Sequence, residues 1–394
     1  MSFLKHFPVG CAAVLIAFIG SAFASPRVPA DDSEILERLA VKPGDPFRAE
    51  TAALREFLAR EPRNVESAAR LARLHIDRAR SDSDPRQLGQ AQAALAAWWN
   101  ETDPPPRIQL LRATIRQSNH DFAAALADLA RVTQREPGNA QAWLTLATVQ
   151  QVTGDSAASR SSCRRLAAIA PPLVLVTCLA SIEGANGNAG AALQGLSALL
   201  NASSSEPAAV RGWATTLEAE LAERLSKTTE AEAHFKRALV VDPVDGYAIA
   251  AYADFLLDEG RPREAMSLVG PDTASDPLLL RYVIAARSAA AGDADSQTRK
   301  LAERFAASRA RGDRVHLREE ARFTLEVLKE PAKALELARE NWKVQKEPAD
   351  ARIALEAAVA ARDPESAREV LQWLAATRLE GRRIAVLAST LERK

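Results

Sequence analysis

A proline that follows an acidic or small residue returns along this chain at nearly constant distance. Arg60-Glu61-Pro62-Arg63-Asn64 comes back almost unchanged as Arg135-Glu136-Pro137-Gly138-Asn139. Ala170-Pro171, Glu206-Pro207, Asp242-Pro243, Asp276-Pro277 and Glu347-Pro348 follow, at successive steps of 34, 36, 36, 34 and 71 residues from Pro137. Proline lacks a backbone N–H and clashes with the preceding helical turn, so each marks the end of a helix. A second punctuation lies between the prolines: Gly154-Asp155, Gly187-Asn188, Gly260-Arg261, Gly292-Asp293 and Arg362-Asp363. Glycine there takes the left-handed conformation that closes a helix. Each unit of roughly 34 residues therefore holds two helices joined by a tight turn. A helix pair this small cannot bury its apolar face alone, so neighbouring pairs must stack.

Composition narrows the function classes. The chain of 394 residues carries 51 Lys+Arg against 51 Asp+Glu, which excludes a broad basic footprint for nucleic acid. Hydrophobic residues make up 47% and charged residues 26%, too much apolar surface for a disordered chain. Abundant alanine with only 5% aromatics favours helix almost throughout.

Inside the units, Trp143, Leu146, Ala147 and Gln150 fit the helix-A spacing W-x2-L-[G/A]-x2-[Y]. Ala231, Phe235, Ala238 and Pro243 fit the helix-B spacing A-x3-F-x2-A-x4-P. Small residues at one height let two helices approach, and a large residue nearby fills the gap. On these residues the chain resembles the tetratricopeptide repeat (TPR) family from about residue 49 to the C-terminus. The resemblance implies an all-α, right-handed α-solenoid of about ten helix hairpins over residues 49–394. It also implies a protein-interaction module whose helices A line a concave groove. Three stretches depart from the pattern: residues 80–90 lengthen a turn, residues 308–314 put a basic loop where a proline is expected, and the Trp213 unit lacks a turn glycine.

The N-terminus reads as a targeting segment. Lys5 and His6 precede an apolar run from Val9 to Gly20, and Ala22-Phe23-Ala24 supplies the small-x-small pattern of a signal peptidase site. We expect residues 1–24 to be a signal peptide cut after Ala24, and residues 25–48 to be a proline-containing linker with one short helix at Ser33–Ala40. The expected location is periplasmic or secreted, with no mature transmembrane segment.

No motif for catalysis stands out. His75, His120, His234 and His316 each lie alone in their units. His316 shares a helix face with Glu319, but a metal site needs a third ligand and none is suggested. No catalytic residue, cofactor or metal is assigned. Cys163 and Cys178 lie equidistant from the Ala170-Pro171 turn, on helix B of one unit and helix A of the next. They are either a disulfide, as an oxidising compartment allows, or two buried thiols. By repeat register Leu144, Thr148 and Gln151, then Tyr247, Asp254 and Leu257, face the groove, and Trp99 is a candidate contact beside Pro104–Pro106. A groove of Leu, Thr, Gln and Ala suits an amphipathic helix or extended apolar peptide. The expected function is an exported scaffold binding a protein or peptide partner during assembly of an envelope or secreted complex. Two rivals stand beside it: an envelope enzyme with active residues in the groove, and a self-assembling array.

Overall fold

The structure is a computed structural model, and it describes residues 31, 44–81, 84–202, 205–271 and 273–393. The expected signal peptide, and the expected helix at Ser33–Ala40, lie outside the described residues. Residues 47–394 form one compact unit. Its elements are all helical among the described residues.

Helix α1, Pro46–Arg60, precedes nine hairpins. Hairpins 1 to 3 are α2/α3 (Val65–Ser81, Arg86–Ala94), α4/α5 (Pro106–Ser118, Phe122–Arg135) and α6/α7 (Ala140–Val152, Ser156–Arg165). Hairpins 4 to 6 are α8/α9 (Pro172–Gly184, Ala189–Ala202), α10/α11 (Ala208–Arg224, Thr228–Val241) and α12/α13 (Gly246–Asp258, Pro262–Val269). Hairpins 7 to 9 are α14/α15 (Asp276–Ser288, Ala294–Ala310), α16/α17 (Leu317–Glu326, Pro331–Trp342) and α18/α19 (Pro348–Ala361, Arg368–Thr377). Helix α20, Arg382–Glu392, comes last. The even-numbered helices pack in succession, α2 on α4 through to α18 on α20, and form the inner layer.

The recurring prolines have two roles. Pro62, Pro137 and Pro243 stand in the turns after α1, α5 and α11. Pro171 and Pro207 instead cap α8 and α10, while Pro277 and Pro348 occupy the first turns of α14 and α18. The missing N–H costs nothing in a first turn, where no intrahelical acceptor exists. The expected turn glycine at Gly292 is also displaced. Left-handed backbone falls on Ala290 (φ 54°), and on Ser226 (φ 58°) in the Trp213 unit.

Repeat-signature residues form the core. Ala231, Phe235 and Ala238 are buried between α10 and α12, with the Phe235 ring stacked on Tyr252 at 5.4 Å and against Phe255 at 5.5 Å. Full burial of such a phenylalanine contributes about 2–3 kcal/mol.

The hairpins also return upon themselves. The turn of hairpin 3 touches the chain entering hairpin 9: the Lys346 amide donates to the Val152 carbonyl at 2.8 Å. The turn of hairpin 4 touches the chain entering α20: the Ala189 amide donates to the Glu380 carboxylate at 2.7 Å. Asn119 and His120, in the turn of hairpin 2, share a cavity of about 520 Å³ with Gly312–Val315, before hairpin 8. Arg80 and Pro85, in the turn of hairpin 1, share one with Ser275–Pro277, entering hairpin 7. In all four cases the offset is six hairpins. The inner layer completes a superhelical turn in six hairpins, and consecutive turns meet edge to edge.

Candidate functional site

The concave face is built from the inner layer, and its character is set by α12. Asp254 and Asp258 are four residues apart, so both project from one side of that helix. Asp254 accepts from Arg281 of α14 at 2.6 Å and from Arg322 of α16 at 2.5 Å. Asp258 accepts from Arg352 of α18 at 2.6 Å on both oxygens, and from Arg383 of α20 at 2.7 Å. Arg352 and Arg383 also share Glu356, at 3.0 and 2.8 Å. This lattice joins residues 94 and 125 positions apart in sequence. Burial works to raise the Asp254 carboxyl, but the charges of Arg281 and Arg322 outweigh it and hold the group well below the usual carboxylate range. Burial likewise opposes the Arg322 charge, and Asp254 and Glu326 overcome it. These ions are mutually neutralised, as charges removed from water must be.

One part of the face is only partly neutralised, with Arg352 and Arg224 nearby but outweighed. Glu223, on the last turn of α10, is pushed up to about 7 by burial, then by the neighbouring charges of Asp258 and Glu220. Water reaches it, but it lies inside the concavity with protein around it. Tyr247, at the start of α12, is 65% exposed, and its hydroxyl donates to Glu220 at 2.6 Å. The Glu220 charge, with burial of the hydroxyl inside the concavity, raises the phenol further above its ordinary range. Glu220, Glu223 and Tyr247 form an acidic patch beside an aromatic face.

The groove residues expected from register fall into different settings. Leu144 on α6 is half-buried against the cluster around Cys163 and Leu166. Thr148 is exposed, with its hydroxyl bonded back to the Leu144 carbonyl at 3.0 Å. Gln151 bridges to α8 through the Ser181 carbonyl and hydroxyl, at 3.2 and 3.0 Å. Leu257 packs against the central core. Asp254 is not a free contact, because two arginines already hold it. Trp99 follows a short 3-10 turn, half-buried with Arg116 over its ring at 5.6 Å, while Trp98 is buried. The expectation of an uncharged, alanine-lined groove is corrected by the lattice on α12 to α20. A sequence signal for it exists: Arg322-x3-Glu326 recurs 30 residues on as Arg352-x3-Glu356. Such i,i+4 pairs read as solvated ion pairs until the superhelix turns them inward.

Cys163 on α7 and Cys178 on α8 are joined by a disulfide with Cα atoms 5.8 Å apart, pinning hairpin 3 to hairpin 4. Glu319 is buried and paired with Arg318, and His316 lies in the loop before α16. Among the described residues no group of three or more His, Cys, Asp or Glu could hold a metal ion, and no helix is long and apolar enough to cross a membrane.

No protein-family profile matches the chain. Cellulose synthase operon protein C of Escherichia coli K12 is 34% identical over 96 residues, 24% of this chain. The matched region spans 8% of that relative's length. Among solved structures, a human IFIT1 dimer with PPP-AAAA is similar at a TM-score of 0.49 and 12% identity, covering 84% of this chain and 78% of that one. The Cut9 of a Cut9–Hcn1 complex aligns at 0.43 and 14%, covering 88% and 87%. Yeast Tom70 aligns at 0.38 and 9%, covering 88% and 85%. By its own repeat length, its hairpin order and the small and aromatic residues that pack its helices, the chain has the fold of a tetratricopeptide-repeat protein.

Proposed function

We propose that this chain is an exported scaffold that binds a protein or peptide partner on its concave face and supports assembly of an envelope or secreted complex. The observation carrying this reading is the patch of Glu220, Glu223 and Tyr247. It combines a 65% exposed aromatic ring with carboxylates whose mutual repulsion Arg352 offsets only in part, so that a further cation is favoured there. A lysine or arginine of a partner segment supplies that cation, with its alkyl stem or guanidinium against the tyrosine ring. The partner segment is therefore polar and basic at this point, rather than an apolar helix. The Cys163–Cys178 disulfide supports the exported part of the reading, because such bonds persist in oxidising compartments. A preformed rigid face also lowers the ordering cost of binding.

The test is crosslinking recovery from the envelope fraction. Wild type is compared with Tyr247→Lys, which removes the ring and supplies the cation within the chain, and with Thr148→Glu, both at exposed positions. We expect Tyr247→Lys to lose the recovered partner at least tenfold, a ratio equal to about 1.4 kcal/mol. Equal recovery from all three proteins sinks the concave-face reading. Recovery of the protein with free, alkylatable Cys163 and Cys178 sinks the exported part.

A further inference from the structure

The contact between superhelical turns uses two edges of the hairpin array. One edge carries the turns within hairpins, the other the connections between them. Where they meet, the left-handed residues His120, Gly154 and Gly187 are half-buried, and so are Pro277 and Pro348 on the opposing edge. Among the described residues the remaining length of each edge is exposed. Ser226, Gly260, Ala290, Lys329 and Arg362, the left-handed residues of hairpins 5 to 9, are all exposed. Pro62, Pro137, Pro171, Pro207 and Pro243 on the other edge are exposed too. One large apolar side chain stands on the open proline edge, Val244 at 59% exposure, and Leu328 at 40% stands on the open turn edge.

We propose that the open turn edge of one copy docks on the open proline edge of a second copy, continuing the superhelix head to tail. The argument is continuity: the chain already mates these two kinds of edge with each other over hairpins 1 to 4, and the open stretches are the same edges prolonged. A heterologous contact of this kind repeats in an open series. Charge adds a cue at particular positions rather than over whole edges. In the mated region Asp276 directly precedes Pro277 and shares a cavity with Arg80 of the hairpin 1 turn, and Glu347 directly precedes Pro348, with Arg314, Lys346 and Arg378 on the same edge. On the open proline edge Glu61, Glu136, Glu206 and Asp242 likewise stand directly before a proline. A cation stands at or just after the left-handed residue in four of the five open turns: Lys227, Arg261, Lys329 and Arg362. Glu259, Glu330 and Asp363 flank them, so position rather than net charge of the edge sets the pairing. Lys227 and Arg261 are already paired with Glu230 and with Glu232 and Glu264, so Lys329 and Arg362 are the cations that the acids before the open prolines of another copy would meet, as Asp276 lies by Arg80 within the chain. This inference uses the rims, not the concave patch, so either reading survives failure of the other.

Light scattering on the purified protein across a concentration series tests it. Wild type should gain mass with concentration at low salt and lose it at high salt, because exposed charges are screened. Glu136→Lys/Glu206→Lys and Lys329→Glu/Arg362→Glu each place like charge on both edges, and each should associate at least about tenfold more weakly. An equimolar mixture of the two variants restores opposite charge and should regain the association. Circular dichroism checks that both keep wild-type helicity. Wild type at single-chain mass throughout overturns the proposal, as does unchanged association of either variant, or a mixture that stays at single-chain mass. A protein of another kind bound to these rims while wild type alone stays single also overturns it.

Discussion

At the scale of residues, the sharpest dependence is on a buried ion cluster far from the concave patch. Arg112 is 2% exposed and pairs with Asp128 through two bonds of 2.9 and 2.6 Å. Its remaining guanidinium nitrogen donates to the carbonyls of Trp98, Trp99 and Glu101 at 2.8–2.9 Å. One side chain thus ties α5 and the chain after α3 to α4. Arg112→Ala leaves Asp128 with only Arg116 and Gln109, and it orphans three carbonyls. We expect a loss of about 3–5 kcal/mol, read as an earlier denaturant midpoint. A loss below about 1 kcal/mol would mean that water replaces the arginine. Glu223 gives a test with the opposite sign. Its folded pKa of about 7 lies above the ordinary 4.5, so the folded state holds a proton that the unfolded chain releases between those values. Stability from this group falls as pH rises from 4.5 to 7. Glu223→Gln should therefore stabilise the protein at pH 8 by about 1–2 kcal/mol, discounted for solvent screening, and change little at pH 4. Melting curves at both pH values check this, and an equal gain at both removes the titration from the explanation.

At the scale of elements, the alternation of helix and turn was legible because proline and alanine act locally. The helix pairs follow from the proline interval, and the buried residues Leu146, Ala147, Phe235 and Ala238 follow from the repeat spacing. Turn details were less legible, because a left-handed residue need not be glycine where the following helix is already fixed. Ala290 bears this conformation two residues before the glycine that the pattern singled out. The turn glycines are themselves not equivalent. Gly187 has φ 78°, and a Cβ there would lie 2.9 Å from the Arg378 Cβ and 3.1 Å from its carbonyl oxygen. Gly260 has φ 71° with nothing within 4 Å of such a Cβ. Both alanine substitutions bear the left-handed penalty of about 1 kcal/mol. Only Gly187→Ala must also push the α19–α20 connection away from the α8/α9 turn. We expect Gly187→Ala to cost about 2–3 kcal/mol and Gly260→Ala about 1. Faster hydrogen exchange at the Ala189 amide in the first variant alone would locate the damage. Equal costs would mean that the two turns of the superhelix do not press on each other.

At the scale of the whole molecule, closure after six hairpins was not legible, because it accumulates from small rotations between neighbours that no local motif encodes. Tyr247 and Thr148 are exposed, as the expected groove register requires, but the chemistry across the lumen could not be read from the sequence. Asp254 and Asp258 look like solvated carboxylates on one helix until α16, α18 and α20 come round to meet them. Asp258 is the point where this closure is most concentrated, since Arg352 and Arg383 both converge on it. Asp258→Asn removes the charge while keeping the shape, and it leaves two guanidinium groups facing each other with only Glu356 between them. Each hairpin retains its own core, because stability in stacked repeats is a sum over units and their nearest neighbours. Helicity should therefore stay at the wild-type value while the superhelix opens, which X-ray scattering reads as a larger radius of gyration. Raising salt should open the wild type less than the substitution does, because the Asp258 pairs lie inside the concavity, where screening is weaker than at the surface. Removing the same charge also removes a neighbour that raises Glu223, so its titration should move to lower pH in the variant. An unchanged radius of gyration in Asp258→Asn would assign the closure to the edge contacts at Val152 and Ala189 instead of to the charges on the inner face.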